Sequence, residues 1–347
     1  MKHLDRLLIK KKNATILILA LWSLGLLSLF ALTLGSIVRQ KIMLLSTLER
    51  RDQLNLIAAS GVKKAVALIQ QEFSVNGPEY TAFGKQLRHN NPRAFRQIDL
   101  KEGFCKITFD VETVKKNDDY FGVLDEERKI NINTANASLL KELIKKVLGV
   151  DEAKASKLAL SIVDWREVNE SEMVGFYSDE FYSNLEFPYL IKNNQFEVLD
   201  ELLLVKGINR NIYDRLSKYL TVYGNGQINI NTASGVVLAA LGLEEAMIQR
   251  ILAVRRGSDG IEATEDDLVF TNGSQLFLYM LENSLIDPEE LRIVPEVLGL
   301  LGGQASYYSI TSSAKLYRDD SLKVIRCVYN AGQDKIEYWN ELDRENN

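Results

Sequence analysis

The sequence predicts an α+β protein: a long N-terminal helix laid on an antiparallel sheet, with a large helical region inserted between the sheet's strands. Three observations carry this. An uncharged apolar run near the N-terminus continues without a break into a segment with one apolar stripe. Alternating strand patterns occur near residues 104–112 and again near 306–340. Between them, apolar residues recur at helical rather than strand spacing.

The helix comes first. "MKHLDRLLIKKKN" is followed by Ala14–Val38, 25 residues without a charge. At about 1.5 Å per residue such a helix crosses a hydrocarbon core of about 30 Å. Lys10, Lys11 and Lys12 precede it, and the positive-inside rule then leaves this end in the cytoplasm, with the bulk of the chain across the membrane. The run is longer than a secretory signal and has no A-x-A site, so it reads as a retained single-pass anchor. Beyond Arg39, Leu54, Ile57, Ala58, Gly61, Val62, Ala65, Leu68 and Ile69 form one apolar stripe, with Arg50, Arg51, Asp52, Lys63 and Lys64 on other faces. The pattern predicts one helix from about 14 to about 73, roughly 90 Å long.

The strands follow. In "FCKITFDVE", Cys105, Ile107, Phe109 and Val111 alternate with polar residues, the mark of a half-buried strand. Tyr308, Ile310, Ala314 and Leu316 mark a second strand, Arg318–Ser321 a polar turn, and 323–329 a third. Cys105 and Cys327 both fall on strands. In an oxidising compartment they pair if their Cα atoms lie within about 7 Å; otherwise they are two buried thiols acting as small hydrophobes. Both readings stand at this point.

The inserted region writes one phrase twice: "KININTANASLL" from Lys129 and "QININTASGVVL" from Gln227. Each reads as a short extended segment leading into a helix, with Asn133 or Thr134 the expected N-cap of the first. Each helix ends at a glycine, Gly149 or Gly242, and a second helix follows. A third pair, "EVLDELLLVKGINRNIYDRLSKYL", turns at Gly207 without the phrase. The predicted units are helix-hairpin-helix-like repeats. The domain order is a leader at 1–13, a membrane segment at 14–38, the rest of the helix and first strands at 39–128, the helical insert at 129–300 and C-terminal strands at 301–347.

Composition narrows the function classes. The 347 residues carry a formal charge of −5, two histidines (His3, His89) and two cysteines, too few for a His-based triad or a zinc cage. GxxxxGK[ST], HExxH and GxSxG are absent, so no catalytic residue is assigned and the chain reads as a non-enzyme. Hairpins of this kind often bind nucleic acid. Here two of the three place Asp151 or Glu244 where a phosphate would sit, and between 129 and 226 there are 12 Lys and Arg against 14 Asp and Glu. Lys206 and Arg210 are the only features that favour an alternative, a membrane-anchored DNA receptor of an uptake apparatus.

The segment from Asp164 to Glu186 holds seven acids (Asp164, Glu167, Glu170, Glu172, Asp179, Glu180 and Glu186) against Arg166 alone. It reads either as a solvated acidic loop or as oxygen ligands for a hard cation such as calcium. Tyr177, Phe181, Tyr182, Phe187 and Tyr189 argue against simple disorder.

In order along the chain, the basic leader, the apolar helix, "RDQLNLIAASGVKKAVALI", "INTANASLL", "IVDWRE", the acidic aromatic loop, "LDELLLVKGI" and "YLTVYGNGQININTAS" resemble the K-type minor pseudopilins of the type II, or general, secretion system. That resemblance implies a pseudopilin fold, a long helix on an antiparallel sheet with an inserted helical domain. It implies a place at the tip of a periplasmic pseudopilus with the I- and J-type minor pseudopilins, initiation of pilus assembly, an inner-membrane platform as further partner, and contact with secreted substrates. It also implies calcium in the helical domain, for which Asp164, Glu167, Asp179 and Glu180 are the matching positions. Leaders in this group are cut just before the apolar run, here between Asn13 and Ala14, although Asn13 stands where glycine is usual. A cut there makes Ile18 the fifth residue, in place of the glutamate of major pilins.

Overall fold

The computed structural model describes residues 2–76, 91–109, 120–167, 178–260, 266–287, 289–318 and 320–344. The chain divides into two compact units, 1–56 and 57–347.

Helix α1 (Lys2–Asn76) runs unbroken through the first unit and opens the second. In the first unit it carries a bare apolar stretch: an 18-residue window has mean hydropathy 2.3 with none of it buried, long and apolar enough to cross a membrane. In the second unit the helix turns one stripe inward, and Ile57, Ala58, Val62, Ala65 and Ile69 are buried.

The stripe lies on an antiparallel sheet whose strand order is β1-β2-β9-β10-β11. Its members are β1 (Ile98–Asp99), β2 (Gly103–Phe109), β9 (Tyr307–Leu316), β10 (Leu322–Asn330) and β11 (Lys335–Arg344). Two short strands attach to it, β3 (Tyr120–Phe121) on β2 and β4 (Leu124–Asp125) on β9. The alternation read from the sequence is the observed burial: along β9 every second residue is buried, from Tyr308 to Leu316. β11, a full-length edge strand, is an addition to the two strands read around the Arg318–Ser321 turn.

Gly61 sets the approach of helix to sheet. A Cβ built there would lie 2.5 Å from Ser312 Oγ and 2.8 Å from Cys105 Sγ. The Ser312 hydroxyl donates to the Ala58 carbonyl at 2.8 Å, so this buried hydroxyl is satisfied.

The two cysteines are free and buried, which corrects the disulfide reading. Cys105 lies opposite Ala314 on one side of β9, and Cys327 lies opposite Ile310 on the other. Two strand spacings of about 4.8 Å and four residues of register keep them well beyond bridging distance. Burial raises the pKa of both thiols, that of Cys327 to about 12.

Between β4 and β9 the chain makes the helical insert. Its main elements are β5 (Ile130–Asn131), α2 (Ala137–Leu148), α3 (Glu152–Arg166), α4 (Ser178–Ser183), a 3-10 turn (Leu199–Leu204), α5 (Arg210–Leu216), β6 (Leu220–Thr221), β7 (Ile228–Asn229), α6 (Gly235–Ala240), α7 (Glu245–Arg255), α8 (Gly273–Glu282) and β8 (Leu301–Gly302). One apolar core runs through it, including Ile130, Ile132, Leu140, Leu143, Ile162 and Trp165 from the first repeat and Ile228, Ile230, Leu238, Ile248 and Ile251 from the second. The third pair is not two α-helices. Its first half is the 3-10 turn, held by Glu201, whose carboxylate accepts the N–H groups of Glu197 and Val198.

Candidate functional site

The repeated phrase builds the same device twice. Strand β5 pairs in parallel with β6, and β7 in parallel with β8. After each strand the first asparagine folds the chain back: Asn131 Oδ1 accepts from Asn133 N–H at 2.8 Å, and Asn229 Oδ1 from Asn231 N–H at 3.1 Å. The second asparagine then grips a distant phenylalanine backbone. Asn133 accepts from Phe196 N–H at 2.8 Å and donates to its carbonyl at 3.0 Å. Asn231 does the same to Phe270, both bonds at 2.8 Å. Neither Asn133 nor Thr134 is therefore an N-cap, as the sequence had suggested, because both sit inside the turn. The caps are Asn136 on α2 and Ser234 on α6, each accepting from the N–H three residues on.

A buried arginine closes each device. Arg166, the last residue of α3, donates to the carbonyls of Ile132 and Ala135. Arg255, the last residue of α7, donates to Ala233, the counterpart of Ala135, at 2.6 Å. The side chain that looked like a lone base in an acidic loop is thus an internal lock. Sequence spacing hid the parallel, because Arg166 stands seventeen residues after Gly149 and Arg255 thirteen after Gly242.

The three hairpins turn on left-handed glycines, Gly149 (φ 67°), Gly207 (φ 85°) and Gly242 (φ 93°). Each is followed by one apolar residue and then the N-cap of the next helix: Asp151, Asn209 or Glu244. Asp151 and Asn209 spend their side chains on that cap. The two cations that favoured nucleic acid are also engaged: Arg210 pairs with Asp214 at 2.9 Å, and Lys206 Nζ lies 4.8 Å over the Phe181 ring.

Of the candidate calcium residues, Asp164 and Glu167 lie at the C-terminal end of α3, and Asp179 and Glu180 lie on α4. Asp164 is buried on α3. Glu167, at the end of α3, is bound to Arg166 at 2.9 Å. Glu180 is exposed on α4, and the Asp179 side chain lies outside the described residues, as do residues 168–177. Among the described residues no three acids, histidines or cysteines come together as a metal cage. Of the segment's aromatic residues, Tyr182 and Tyr189 pack with Trp165 and with each other, ring centroids 5.3–6.2 Å apart, while Phe187 is exposed. Asn13 and Ala14 lie within α1.

The junction of insert and sheet holds a set of acids that the sequence analysis did not single out, Asp125-Glu126-Glu127. All three are buried. Asp125 accepts from Asn229 Nδ2 and Thr232 Oγ1, both at 2.9 Å, which ties the sheet to the second phrase. Burial opposes the charge on Glu126, yet Lys129 at 2.8 Å and the Ser309 hydroxyl hold its pKa below the usual range. Burial, reinforced by the charge of Asp125, pushes Glu127 up to about 8. The Glu127 carboxyl accepts N–H groups from Ser306 and Tyr307, where the chain re-enters the sheet.

Comparison with known proteins bears on this architecture. The family description "Type II secretion system (T2SS), protein K" matches residues 109–225, from the end of β2 through the first repeat to the loop before the second phrase. The type II secretion system protein K of Pectobacterium carotovorum subsp. carotovorum is 27% identical over 128 residues, 35% of this chain and 39% of that protein. That of Klebsiella pneumoniae is 25% identical over 147 residues, 37% of this chain and 45% of that protein. The aligned part thus spans less than half the length of these relatives. A chain in the crystal structure of the GspK-GspI-GspJ complex from the enterotoxigenic Escherichia coli Type 2 Secretion System superposes with a TM-score of 0.58 at 18% identity, covering 86% of this chain and 99% of that one. The long helix, antiparallel sheet and inserted helical domain are the α+β pseudopilin fold, and residues 109–225 of the chain are similar to type II secretion system protein K.

Proposed function

We propose that this protein is a minor pseudopilin at the tip of a type II secretion pseudopilus. It is anchored in the inner membrane by residues 14–38, with its N-terminus in the cytoplasm and the bulk of the chain in the periplasm. It joins I- and J-type minor pseudopilins, initiates the filament, and so supports protein export across the outer membrane. The inner-membrane platform and secreted substrates are its further contacts. The observation that carries this reading is a single helix that is apolar and unburied where it would meet lipid or other pilin helices, and striped where it lies on its own sheet. Lateral packing of such helices builds a filament. No side chain is given a catalytic role.

The test is co-purification. The tagged full chain is solubilised from native envelopes with calcium and DNase present, and its companions are identified by mass spectrometry. Stoichiometric I- and J-type pseudopilins support the assembly role. Recovery of nucleic acid from an untreated control, with no pilin in the treated sample, would replace it with the receptor reading.

Calcium binding by the acidic segment is a separate proposal, resting on the density of acids between 164 and 186. A chelator-stripped chain titrated with calcium should melt at a higher temperature, and an unchanged melt would remove the metal from the account.

A further inference from the structure

A pocket of about 290 Å³ lies where the insert rejoins the sheet, lined by Glu127, Asn225, Gln227, Gln304, Ser306 and Tyr307. Its size is that of a small-ligand site, and its lining is polar, with three side-chain amides, a hydroxyl, a phenol and one carboxyl group. No Lys, Arg or His lines it. The wall is tightly built. Gly224 has φ 84°, and a Cβ there would stand 3.1 Å from Glu127 Cγ, so the loop 223–227 closes directly over the acid. Tyr307 stacks on Tyr223 with centroids 5.6 Å apart.

Asp125 acts on Glu127 repulsively, while Arg128, the next residue along the chain, acts on Asp125 with the opposite sign. From β11, Glu337 acts on both Tyr223 and Tyr307, while Lys335, the basic neighbour of Tyr307, is bound to Glu337 at 2.6 Å. Glu126 is occupied by Lys129 and Ser309. A buried carboxyl with acidic surroundings and room beside it suits a positive group and repels an anion.

We propose that this pocket binds an organic cation, an alkylammonium or guanidinium head, with Glu127 as its counter-charge. Asn225, Gln227, Gln304 and Ser306 supply acceptor oxygens for the N–H donors, and Tyr307 supplies a ring face. A hard divalent ion fits poorly, because it wants six to eight oxygens and several carboxylates, and one carboxyl lines this pocket. The same head group comes either from a free polyamine or from a Lys or Arg presented by a protein. The proposal does not depend on pilus assembly.

Cation binding needs ionised Glu127. With that acid pushed up to about 8 by burial, apparent affinity rises about tenfold per pH unit and levels off above 8. Asp125, raised by burial, titrates with the same sign, while Tyr223 and Tyr307 are raised away from this range.

Saturation-transfer NMR on the full chain in detergent micelles tests it, with putrescine, N-acetyl-lysine amide and the neutral N-acetyl-norleucine amide as probes. Both cations should saturate with the stated pH slope and the norleucine probe should not. Tighter putrescine marks a free polyamine as the ligand, and tighter lysine amide marks a protein side chain. Glu127→Gln should abolish binding. Gln304→Met, at the pocket wall, should weaken it several-fold without moving the melting temperature. Equal saturation by norleucine amide, or unchanged cation binding in a folded E127Q chain, overturns the assignment.

Discussion

Asn133 holds the backbone of Phe196 at both of its polar groups, accepting from the N–H at 2.8 Å and donating to the carbonyl at 3.0 Å. A side-chain amide presents the same donor and acceptor as a peptide group, so it replaces a strand partner where no strand could reach. Phe196 is buried, and its backbone would otherwise go without those two bonds. Asn231 repeats the arrangement on Phe270, so each repeat carries one such grip.

Replacing either asparagine with alanine removes at least the two hydrogen bonds to the phenylalanine and leaves buried peptide groups unpaired. Asn133→Ala and Asn231→Ala should each cost about 2–4 kcal/mol. Asn231→Ala should cost more, since that side chain also donates to Gly303. Chemical denaturation followed by circular dichroism measures both, and a loss below about 0.5 kcal/mol would refute the grip.

Arg166→Lys keeps the charge and loses the fork. One ammonium cannot serve Ile132 and Ala135 as well as Glu167, so the change should destabilise by about 1–3 kcal/mol. Glu167→Gln should cost far less, because that carboxylate is half exposed and its pairing with Arg166 is largely screened. Equal losses in the two variants would show that the arginine matters for its surface ion pair and not for the turn.

Gly61→Leu overfills the contact between helix and sheet. With Ser312 Oγ and Cys105 Sγ already inside the reach of a Cβ, the helix must lift, at about 1–3 kcal/mol. Gly149→Ala faces open space and is charged only for its left-handed φ of 67°, about 1 kcal/mol. Thermal melts of the two variants should rank in that order.

The buried acids give the protein a pH signature. Glu127 has a folded pKa of about 8, above its ordinary value of 4.5, so between those values the unfolded chain binds fewer protons than the folded one. Stability contributed by this group is complete below about pH 4.5 and falls by about 1.4 kcal/mol per pH unit up to 8. Glu127→Gln removes that slope, so the variant should gain on the parent as pH rises from 5 to 8. Glu126, held low by Lys129, works with the opposite sign and is lost only in acid. Urea midpoints across this range decide it, and parallel curves for parent and variant would place the Glu127 carboxyl in water.

Much of this was legible along the chain. The apolar run, the stripe from Ile57 to Ile69 and the alternation of Tyr308 to Leu316 each depend on a local period, which a sequence carries in full. The glycine hairpins were legible too, since a left-handed turn selects its residue locally. What the repeated phrase does was not. "ININTA" reads as a strand leading to a cap, and only the fold brings Phe196 or Phe270 beside its second asparagine and an arginine beside its alanine. Asp125 to Glu127 carry no local signal of burial, and only tertiary packing put them at the junction of insert and sheet. The cysteines illustrate the same division. Their strand assignment came from alternation, whereas their separation is set by β9 lying between them. Local periodicity determined the long helix and strands β2, β9 and β10, and local turn chemistry determined the glycine hairpins of this protein. Long-range pairing decided its clamps, its buried acids and its pocket, because each of these joins residues that are far apart in sequence and meet only in the folded chain.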